Sequence, residues 1–174
     1  EAVVVAATTT LRAWGAVSTR RDLDVDLLDC MDKAPSLALG ISLTQNERKV
    51  IALDCDTVLR TNLGSLVTVG NAAPRNLVHF LFEDASDLAT GGLPVGNFHR
   101  VNFSAMAEGG GYRQVYSFDN LEEFVLSLDE VFDGPGPTFV SLKVVFDQDL
   151  AFYPTRTMKE SMAQVKRALA LRID

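Results

Sequence analysis

The chain of 174 residues is 47% hydrophobic, so it is long and apolar enough to bury one core and is predicted to form a single domain over residues 1–174. Its formal net charge of −7 and its pI of about 4.8 argue against nucleic acid or an anionic membrane as a partner, because a negative surface repels phosphate. The two cysteines are too few for a disulfide framework, and neither a signal peptide nor a membrane-spanning apolar run is recognisable, which predicts a cytoplasmic protein.

Apolar runs of strand length alternate with stretches of helical periodicity, a pattern typical of a parallel sheet covered by helices on both faces. The predicted strands are residues 3–7, 26–29, 49–54, 77–83, 114–117 and 138–146. The predicted helices are residues 11–17, 36–43, 63–70, 102–108, 120–132 and 158–171. Asp119 and Glu122 have the spacing of a capping box at the start of the fifth helix. We therefore predict an α/β fold of three layers, α/β/α, with a mostly parallel sheet of about six strands.

Polar segments follow three of the predicted strands, at the edge of an open parallel sheet where ligands bind. They are residues 29–33 (DCMDK), 54–57 (DCDT) and 83–87 (EDASD). Solvated loops and helix caps are the simplest interpretation of such acidic residues. The alternative is a site for Mg²⁺, which binds few protein carboxylates and completes its octahedron with phosphate and water. His79 lies within an apolar run and is predicted to be a core residue rather than a catalyst.

Two short motifs and their spacing resemble those of thiamine diphosphate (ThDP) enzymes. These enzymes carry a Gly-Asp-Gly triplet that is followed later by Asn-Asn or Asp-Asn. Here the sequence CDT at 55–57 is followed, after residues 58–82, by ED at 83–84. The sequences VIALD before the triplet, NLGSL after it and TGG at 90–92 are similar to the β-subunits of sulfopyruvate decarboxylases. The resemblance covers most of the chain from Asp26 onward and implies the ThDP-binding fold.

The resemblance implies a set of cofactor-binding residues at these two motifs. Asp56, Asp84 and the backbone carbonyl of Ser86 correspond to the oxygen donors that hold Mg²⁺ in the family. Cys55 and Thr57 take the positions of the two glycines beside the diphosphate of the cofactor. The resemblance therefore predicts one site for ThDP and Mg²⁺ beyond the third and fourth strands.

The segment after the second predicted strand resembles the sequence Gly-Ser-Met-Gly-His of the family. In this chain the segment reads Asp29-Cys30-Met31-Asp32-Lys33. The resemblance implies that the carbonyl of Asp29 contacts the aminopyrimidine ring and that Met31 lies beneath the bent cofactor, with Cys30 as their neighbour in the cofactor-binding segment. Two aspartates stand where the family has glycine.

The activity implied by the resemblance is the ThDP- and Mg²⁺-dependent decarboxylation of a 2-oxo acid that carries a sulfonate or phosphonate group. In the family the cofactor binds between a domain of this type and a pyrimidine-binding domain, whose glutamate activates it. We therefore expect that domain or an α-subunit as a partner in a homo- or hetero-oligomer, and the few charges of helix 63–70 also predict an interface. The side chains of Cys55 and Thr57 in place of glycine favour the alternative, a non-catalytic relative that has lost ThDP and serves as a structural or regulatory subunit.

Overall fold

A parallel sheet forms the centre of this computed structural model, which describes residues 1–28, 30–84, 86–87, 93–94, 96, 100–145 and 156–170. The strands are β1 (Val3–Ala7), β2 (Asp24–Leu27), β3 (Val50–Cys55), β4 (Leu77–Glu83), β5 (Ser86–Asp87), β6 (Leu93–Pro94), β7 (Gln114–Phe118) and β8 (Thr138–Lys143). Six of them form the main sheet in the order β2-β1-β3-β4-β8-β7, whereas β5 and β6 form a separate antiparallel pair. All neighbours in the main sheet run parallel.

Helices connect the strands and cover the sheet. They are α1 (Thr8–Val17), α2 (Ala34–Thr44), α3 (Asp56–Arg60), α4 (Gly64–Ala72), α5 (Phe103–Gly110), α6 (Leu121–Leu126), α7 (Leu128–Asp133) and α8 (Met158–Ala170). No helix in the described ranges has the length and apolar character needed to cross a bilayer. The predicted three-layer α/β/α fold around a parallel sheet is confirmed.

Side chains of the sheet are buried alternately on its two faces, because successive residues of a strand point to opposite sides. One face is covered by α2, α4, α5 and α8 and is called the α5 face; its strands contribute Val5, Ala52, Leu81 and Phe139 to the core. The opposite α1 face packs against α1 and α7; its strands contribute Ala6, Leu53, Phe80 and Val140. Burial on both faces explains why the strands read as almost continuous apolar runs.

Strand β2 differs from its predicted bounds. It begins at Asp24 rather than at residue 26, and both Asp24 and Asp26 are buried within it. Ion pairs to Arg21 and Arg156 neutralise these carboxylates and permit two charged residues in a buried strand. The predicted strands 26–29 and 138–146 are too long at their ends, because β2 ends at Leu27 and β8 ends at Lys143, and residues 28, 144 and 145 are not in a strand. Residues 29, 146 and 171 lie outside the described part of the chain.

The segment predicted as one helix at 120–132 is helical but interrupted, and the predicted cap at Asp119 is wrong. The segment forms two helices, α6 and α7, which meet at Ser127; the hydroxyl of this residue donates a hydrogen bond to the carbonyl of Glu123 at 2.9 Å, a contact that bends helices. The N-cap is Asn120 instead of Asp119. Its Oδ1 accepts hydrogen bonds from the amides of Glu122 and Glu123 at 2.8 and 3.1 Å, because only the residue directly before the first turn reaches these amides. Helix α3 and the β5–β6 pair are not predicted from the sequence.

Helices α4 and α5 pack backbone to backbone on the α5 face. A Cβ atom at Gly70 would lie 2.0 Å from the carbonyl oxygen of Gly110, so the contact requires glycine at position 70. This packing fixes α5, and the side chain of its first residue, Phe103, is only 1% exposed. The start of α5 is thereby held beside the segment that follows β3.

Candidate functional site

The carboxyl ends of β3 and β4 lie side by side at one edge of the sheet. Cys55, the last residue of β3, is paired with Phe82 in β4. Asp56 follows as the first residue of α3, and Asp84 follows the end of β4. The structure therefore brings the two candidate carboxylate ligands to neighbouring strand ends.

The side chains around Asp56 are closely packed. Asp56 has no exposed surface, and its Oδ1 accepts a hydrogen bond from the amide of Thr57 at 2.8 Å. Sγ of Cys55 and Oγ1 of Thr57 lie 3.4 Å apart. Cys55 and Thr57, which precede and follow Asp56 and replace the two glycines of the family motif, are therefore in contact with each other. Asp84 is partly buried.

The remaining predicted site residues lie around the same edge or outside the described part. Ser86 begins β5, two residues beyond Asp84. Met31 is 41% exposed and begins a single turn of 3₁₀-helix at 31–33. The carbonyl of Asp32 in this turn accepts a hydrogen bond from Nδ2 of Asn62 at 2.7 Å, which links the turn after β2 to the α3–α4 connection. Asp29 lies outside the described residues.

The two cysteines are free thiols with different neighbours. Sγ of Cys30 lies 3.6 Å from Sδ of Met158 in α8, whereas Cys55 contacts Thr57. Each thiol packs as a small apolar side chain does in a core. Within the described ranges, no group of three or more His, Cys, Asp or Glu side chains is arranged to hold a metal ion.

His79, Tyr112 and Asp54 form a buried polar cluster behind the β3–β4 edge, and the sequence predicts the burial of His79 but not these contacts. His79 has no exposed surface, which confirms the core position predicted for it. Its Nδ1 lies 3.0 Å from the hydroxyl of Tyr112, and its Nε2 lies 3.5 Å from Oδ2 of Asp54. Neither Nε2 nor Oδ2 has a hydrogen-bond partner among the described residues. Burial, followed by the charge of Asp54, raises the pKa of Tyr112 well above its ordinary value of 10.0, so the phenol stays protonated.

Arg60, the last residue of α3, is a second feature that sequence reasoning missed. The carbon Cζ of its guanidinium lies 5.9 Å from the centroid of the Phe103 ring. Its Nε and Nη2 atoms are buried and have no hydrogen-bond partner in the described part of the chain. The sequence does contain one indication of it, since Arg60 is the one charged residue between Thr57 and Pro74.

An apolar groove with a volume of about 550 Å³ crosses the α1 face of the sheet. Its lining includes Trp14, Phe80, Phe82, Leu142 and Val144. Asp84 also lines the groove, which therefore reaches the sheet edge that carries the candidate site.

The oxygen donors at this edge fit a cation that carries a bound diphosphate. Asp56 and Asp84 offer carboxylate oxygens from adjacent strand ends. Mg²⁺ commonly takes one or two protein carboxylates and receives its other ligands from phosphate, carbonyl groups and water. A set of only two carboxylates is therefore the kind expected for a magnesium ion bound together with phosphate, rather than for a metal site built from protein ligands alone.

Comparison with known proteins identifies the class that this sheet and its strand-end residues define. Residues 6–142 match the family described as "Thiamine pyrophosphate enzyme, C-terminal TPP binding domain". Thiamine pyrophosphate is another name for ThDP. The chain belongs to this family of ThDP-binding domains.

Within the family, the chain is similar to decarboxylases. It is 33% identical over 124 residues to the phosphonopyruvate decarboxylase of Streptomyces viridochromogenes, which covers 71% of this chain and 31% of that protein. It is 34% identical over 119 residues to sulfopyruvate decarboxylase subunit beta of Methanothermobacter thermautotrophicus, with coverages of 68% and 60%. Its fold matches benzoylformate decarboxylase from Polynucleobacter necessarius with a TM-score of 0.58 at 16% identity, over 83% of this chain and 30% of that one. The chain spans less than two thirds of each relative.

Proposed function

We propose that the chain is the ThDP-binding subunit of a Mg²⁺-dependent decarboxylase that acts on a 2-oxo acid with a sulfonate or phosphonate group. The observation that carries the proposal is the 33% and 34% identity to a phosphonopyruvate decarboxylase and a sulfopyruvate decarboxylase β-subunit. The adjacency of Asp56 and Asp84 at one sheet edge supports it. ThDP, when bound, supplies the electron sink for the loss of CO₂ from such an acid.

In this proposal the β3–β4 edge holds the charged end of the cofactor. Asp56 and Asp84 bind Mg²⁺ together with the backbone carbonyl of Ser86, while Cys55 and Thr57 line the diphosphate. Two carboxylates beside a diphosphate repel it, so the cation between them is required for binding. Compared with the two glycines of the family, Cys55 and Thr57 add side-chain volume beside the diphosphate, and Thr57 also adds a hydroxyl group.

The turn after β2 forms the proposed pyrimidine side of the site, with Asp29, Cys30 and Met31 as its residues. The partly exposed thioether of Met31 offers an adaptable apolar contact for a ring. The hydrogen bond from Asn62 to the carbonyl of Asp32 holds this turn against the segment that follows Asp56. This hydrogen bond from a side-chain amide to a backbone carbonyl connects the two halves of the proposed site.

The proposed enzyme includes a partner, either a pyrimidine-binding domain or an α-subunit, and is a homo- or hetero-oligomer. One relative is itself named as subunit beta. Exposed apolar side chains support an interface: Val67 is 57% exposed, Val125 is 53% exposed and Leu126 is 78% exposed. The two free cysteines suit the reducing conditions of the cytoplasm, where we place the enzyme.

Calorimetric titration of the chain with Mg²⁺ and ThDP, with and without a co-purified partner, tests the proposal. The Asp56→Ala variant is expected to weaken ThDP binding at least about tenfold, because a carboxylate ligand in a fully buried position has no substitute. Asp129→Ala is the matched control, since it removes the same charge from an exposed position in α7. The control is expected to bind as the wild type does.

A second set of variants separates the proposal from its alternative. Asp84→Asn should raise ThDP affinity, most clearly at low salt, because it removes one negative charge that faces the diphosphate. Adding Cys55→Gly and Thr57→Gly should raise the affinity further by restoring space for the phosphate groups. A triple variant that still binds no ThDP in the presence of its partner would overturn the proposal in favour of a cofactor-free structural or regulatory subunit.

A further inference from the structure

Arg60 carries a positive charge for which the described part of the chain provides no partner. Its Nε and Nη2 atoms are buried without a hydrogen bond, and Arg60 takes part in none of the ion pairs among the described residues. Burying a guanidinium without an acceptor is unfavourable. An unsatisfied buried group of this kind in a folded protein requires an explanation.

The two unsatisfied atoms lie on one edge of the guanidinium. The N–H bonds of Nε and Nη2 point in the same direction, and this edge forms paired hydrogen bonds with two oxygen atoms of one oxyanion. A planar, doubly donating edge is selective for carboxylate, phosphate, phosphonate or sulfonate groups. The missing acceptor therefore has the chemistry of an oxyanion.

Packing holds the guanidinium near the candidate site. Its Cζ lies 5.9 Å from the centroid of the buried Phe103 ring, a distance at which cation and ring attract each other. Arg60 also follows Asp56 by four residues in α3, so the two side chains leave the same side of the helix. The charge is thus positioned beside the strand end where the proposed cofactor site lies.

The other described arginines that are partly buried all donate side-chain hydrogen bonds within the chain; they are Arg20, Arg21, Arg48 and Arg156. Arg21 and Arg156 both contact the carboxylate of Asp26, at 2.7 and 2.8 Å. Arg20 pairs with Asp22 at 2.8 Å. Arg60 differs from these residues because it lies at the candidate site. A shortage of carboxylates does not explain its lack of a partner among the described residues, since the chain has a net charge of −7.

We propose that Arg60 binds an oxyanion group of the ligand at this edge, either a phosphate of the cofactor or the sulfonate or phosphonate of the substrate. The choice of these two ligand classes rests on the proposed function. A chain with a net charge of −7 needs a local cation to hold an anionic ligand. Arg60 supplies that charge together with a geometry that lysine lacks.

The test measures the binding of two probes to the 174-residue chain by isothermal titration calorimetry. Pyrophosphate with Mg²⁺ represents the cofactor, and sulfoacetate represents the substrate. Arg60→Leu is expected to weaken the binding of one probe by about 10- to 100-fold, the range for hydrogen bonds to charged groups. Arg60→Lys should recover part of the loss, since it restores the charge without the paired donors. Arg75→Leu removes an exposed charge before β4, at the opposite edge of the sheet, and is expected to change neither affinity.

The outcomes separate the two ligands and expose a failure. A loss confined to pyrophosphate assigns Arg60 to the cofactor, and a loss confined to sulfoacetate assigns it to the substrate. Unchanged binding of both probes in Arg60→Leu, an equal loss in Arg75→Leu, or a wild type that binds neither probe overturns the inference. If the wild type binds sulfoacetate while the triple variant of Cys55, Thr57 and Asp84 with its partner binds no ThDP, the proposed function is overturned and the inference stands.

Thermal unfolding provides a readout that a purely structural role would move in the opposite direction. Arg60→Leu is expected to unfold at the same or a higher temperature than the wild type, because it removes a partly buried charge whose Nε and Nη2 atoms have no hydrogen bond within the described ranges, while leucine can still pack against Phe103. A clear fall in unfolding temperature would identify Arg60 as a structural residue. If the leucine variant fails to fold, Arg60→Lys alone decides, since unaltered binding of both probes to that variant contradicts a paired contact.

Discussion

Two buried charged regions of this molecule differ in how completely their polar atoms are paired. The first lies between β2 and α8. Asp26 has no exposed surface there and accepts hydrogen bonds from Arg21 and Arg156 at both of its oxygen atoms. Asp24 is 2% exposed and accepts a hydrogen bond from Nε1 of Trp14 at 2.9 Å. The contacts of Arg156, two residues before α8, hold the start of that helix against the edge strand β2, and the hydrogen bond from Trp14 connects α1 to the same strand.

The second region extends from His79, within β4, to the carboxyl end of β3 and the helix α3 that follows it, and its pairing is incomplete. Oδ2 of Asp54, Nε2 of His79 and two nitrogens of Arg60 lack hydrogen-bond partners in the described ranges. Each unsatisfied buried group costs about 1–3 kcal/mol. Glu83, at the end of β4, is paired with Lys143, so the incomplete pairing is confined to particular side chains. The difference teaches that the buried charges of β2 are paired within the chain, whereas Asp54, His79 and Arg60 keep atoms near the proposed ligand that the described structure leaves unsatisfied.

The largest expected effect comes from breaking the paired region at Asp26. Asp26→Asn removes the charge that neutralises Arg21 and Arg156, so the free energy of unfolding should fall by about 3–5 kcal/mol. Urea-induced unfolding followed by circular dichroism measures this change. Asp22→Asn is the control: its side chain is 47% exposed in an ion pair with Arg20, and the expected loss is below about 1 kcal/mol. Equal losses for the two variants would mean that the buried network contributes no more than a surface pair.

The incompletely paired region can be tested through Tyr112, because this residue makes the stability of the protein depend on pH. Burial, with a further contribution from the charge of Asp54, raises the pKa of Tyr112 above the ordinary value of 10.0. Below that pH the phenol is protonated in both states, so its contribution is fully present. Above it, the unfolded chain releases the proton and the folded chain keeps it, so the free energy of unfolding falls by up to about 1.4 kcal/mol per pH unit.

The Tyr112→Phe variant should therefore lose less stability than the wild type between about pH 10 and 11. Urea unfolding at a series of pH values measures both slopes. Tyr116→Phe is the matched control, because Tyr116 is a tyrosine in the edge strand β7 whose hydroxyl bonds the exposed Glu130 at 3.0 Å. Partial burial, followed by the contact with Glu130, also raises the pKa of Tyr116, but this residue lies in an edge strand and Tyr112 is buried, so the control is expected to keep most of the wild-type slope. Parallel curves for the wild type and Tyr112→Phe would contradict retention of the phenol proton in the folded state.

The fold is predictable from the sequence wherever burial makes a strand apolar on both sides. The bounds of β1 and β4 agree with the prediction, since their apolar runs end at polar residues. The start of β2 is misplaced because the charged residue Asp24 belongs to the strand. The pairing of Asp26 in the same strand with Arg156, 130 residues away in the chain, is a tertiary contact that no local pattern reports. The five-residue helix α3 is too short to show a helical period.

The candidate site is predictable only in part. The spacing of the two motifs identifies Asp56 and Asp84, and the rule that parallel strands end at one edge predicts their adjacency. The contact of His79 with Tyr112 joins residues 33 positions apart, so it depends on how α5 leads into β7. The lack of a hydrogen-bond partner for Arg60 is still harder to predict from the sequence, because it depends on the absence of any acceptor near its guanidinium in the described part of the folded chain.

The smallest expected effect is at Asp54, where the substitution used at Asp26 is made in the incompletely paired region. Oδ1 of Asp54 accepts a hydrogen bond from the amide of Cys55 at 2.9 Å, whereas Oδ2 has no hydrogen bond to lose in the described structure. Asp54→Asn keeps the acceptor and offers an N–H group toward Nε2 of His79, 3.5 Å from the present Oδ2. The free energy of unfolding should therefore change by less than about 1 kcal/mol. Urea unfolding under the conditions used for Asp26→Asn measures it, and a loss as large as at Asp26 would show that the charge of Asp54 also serves the fold.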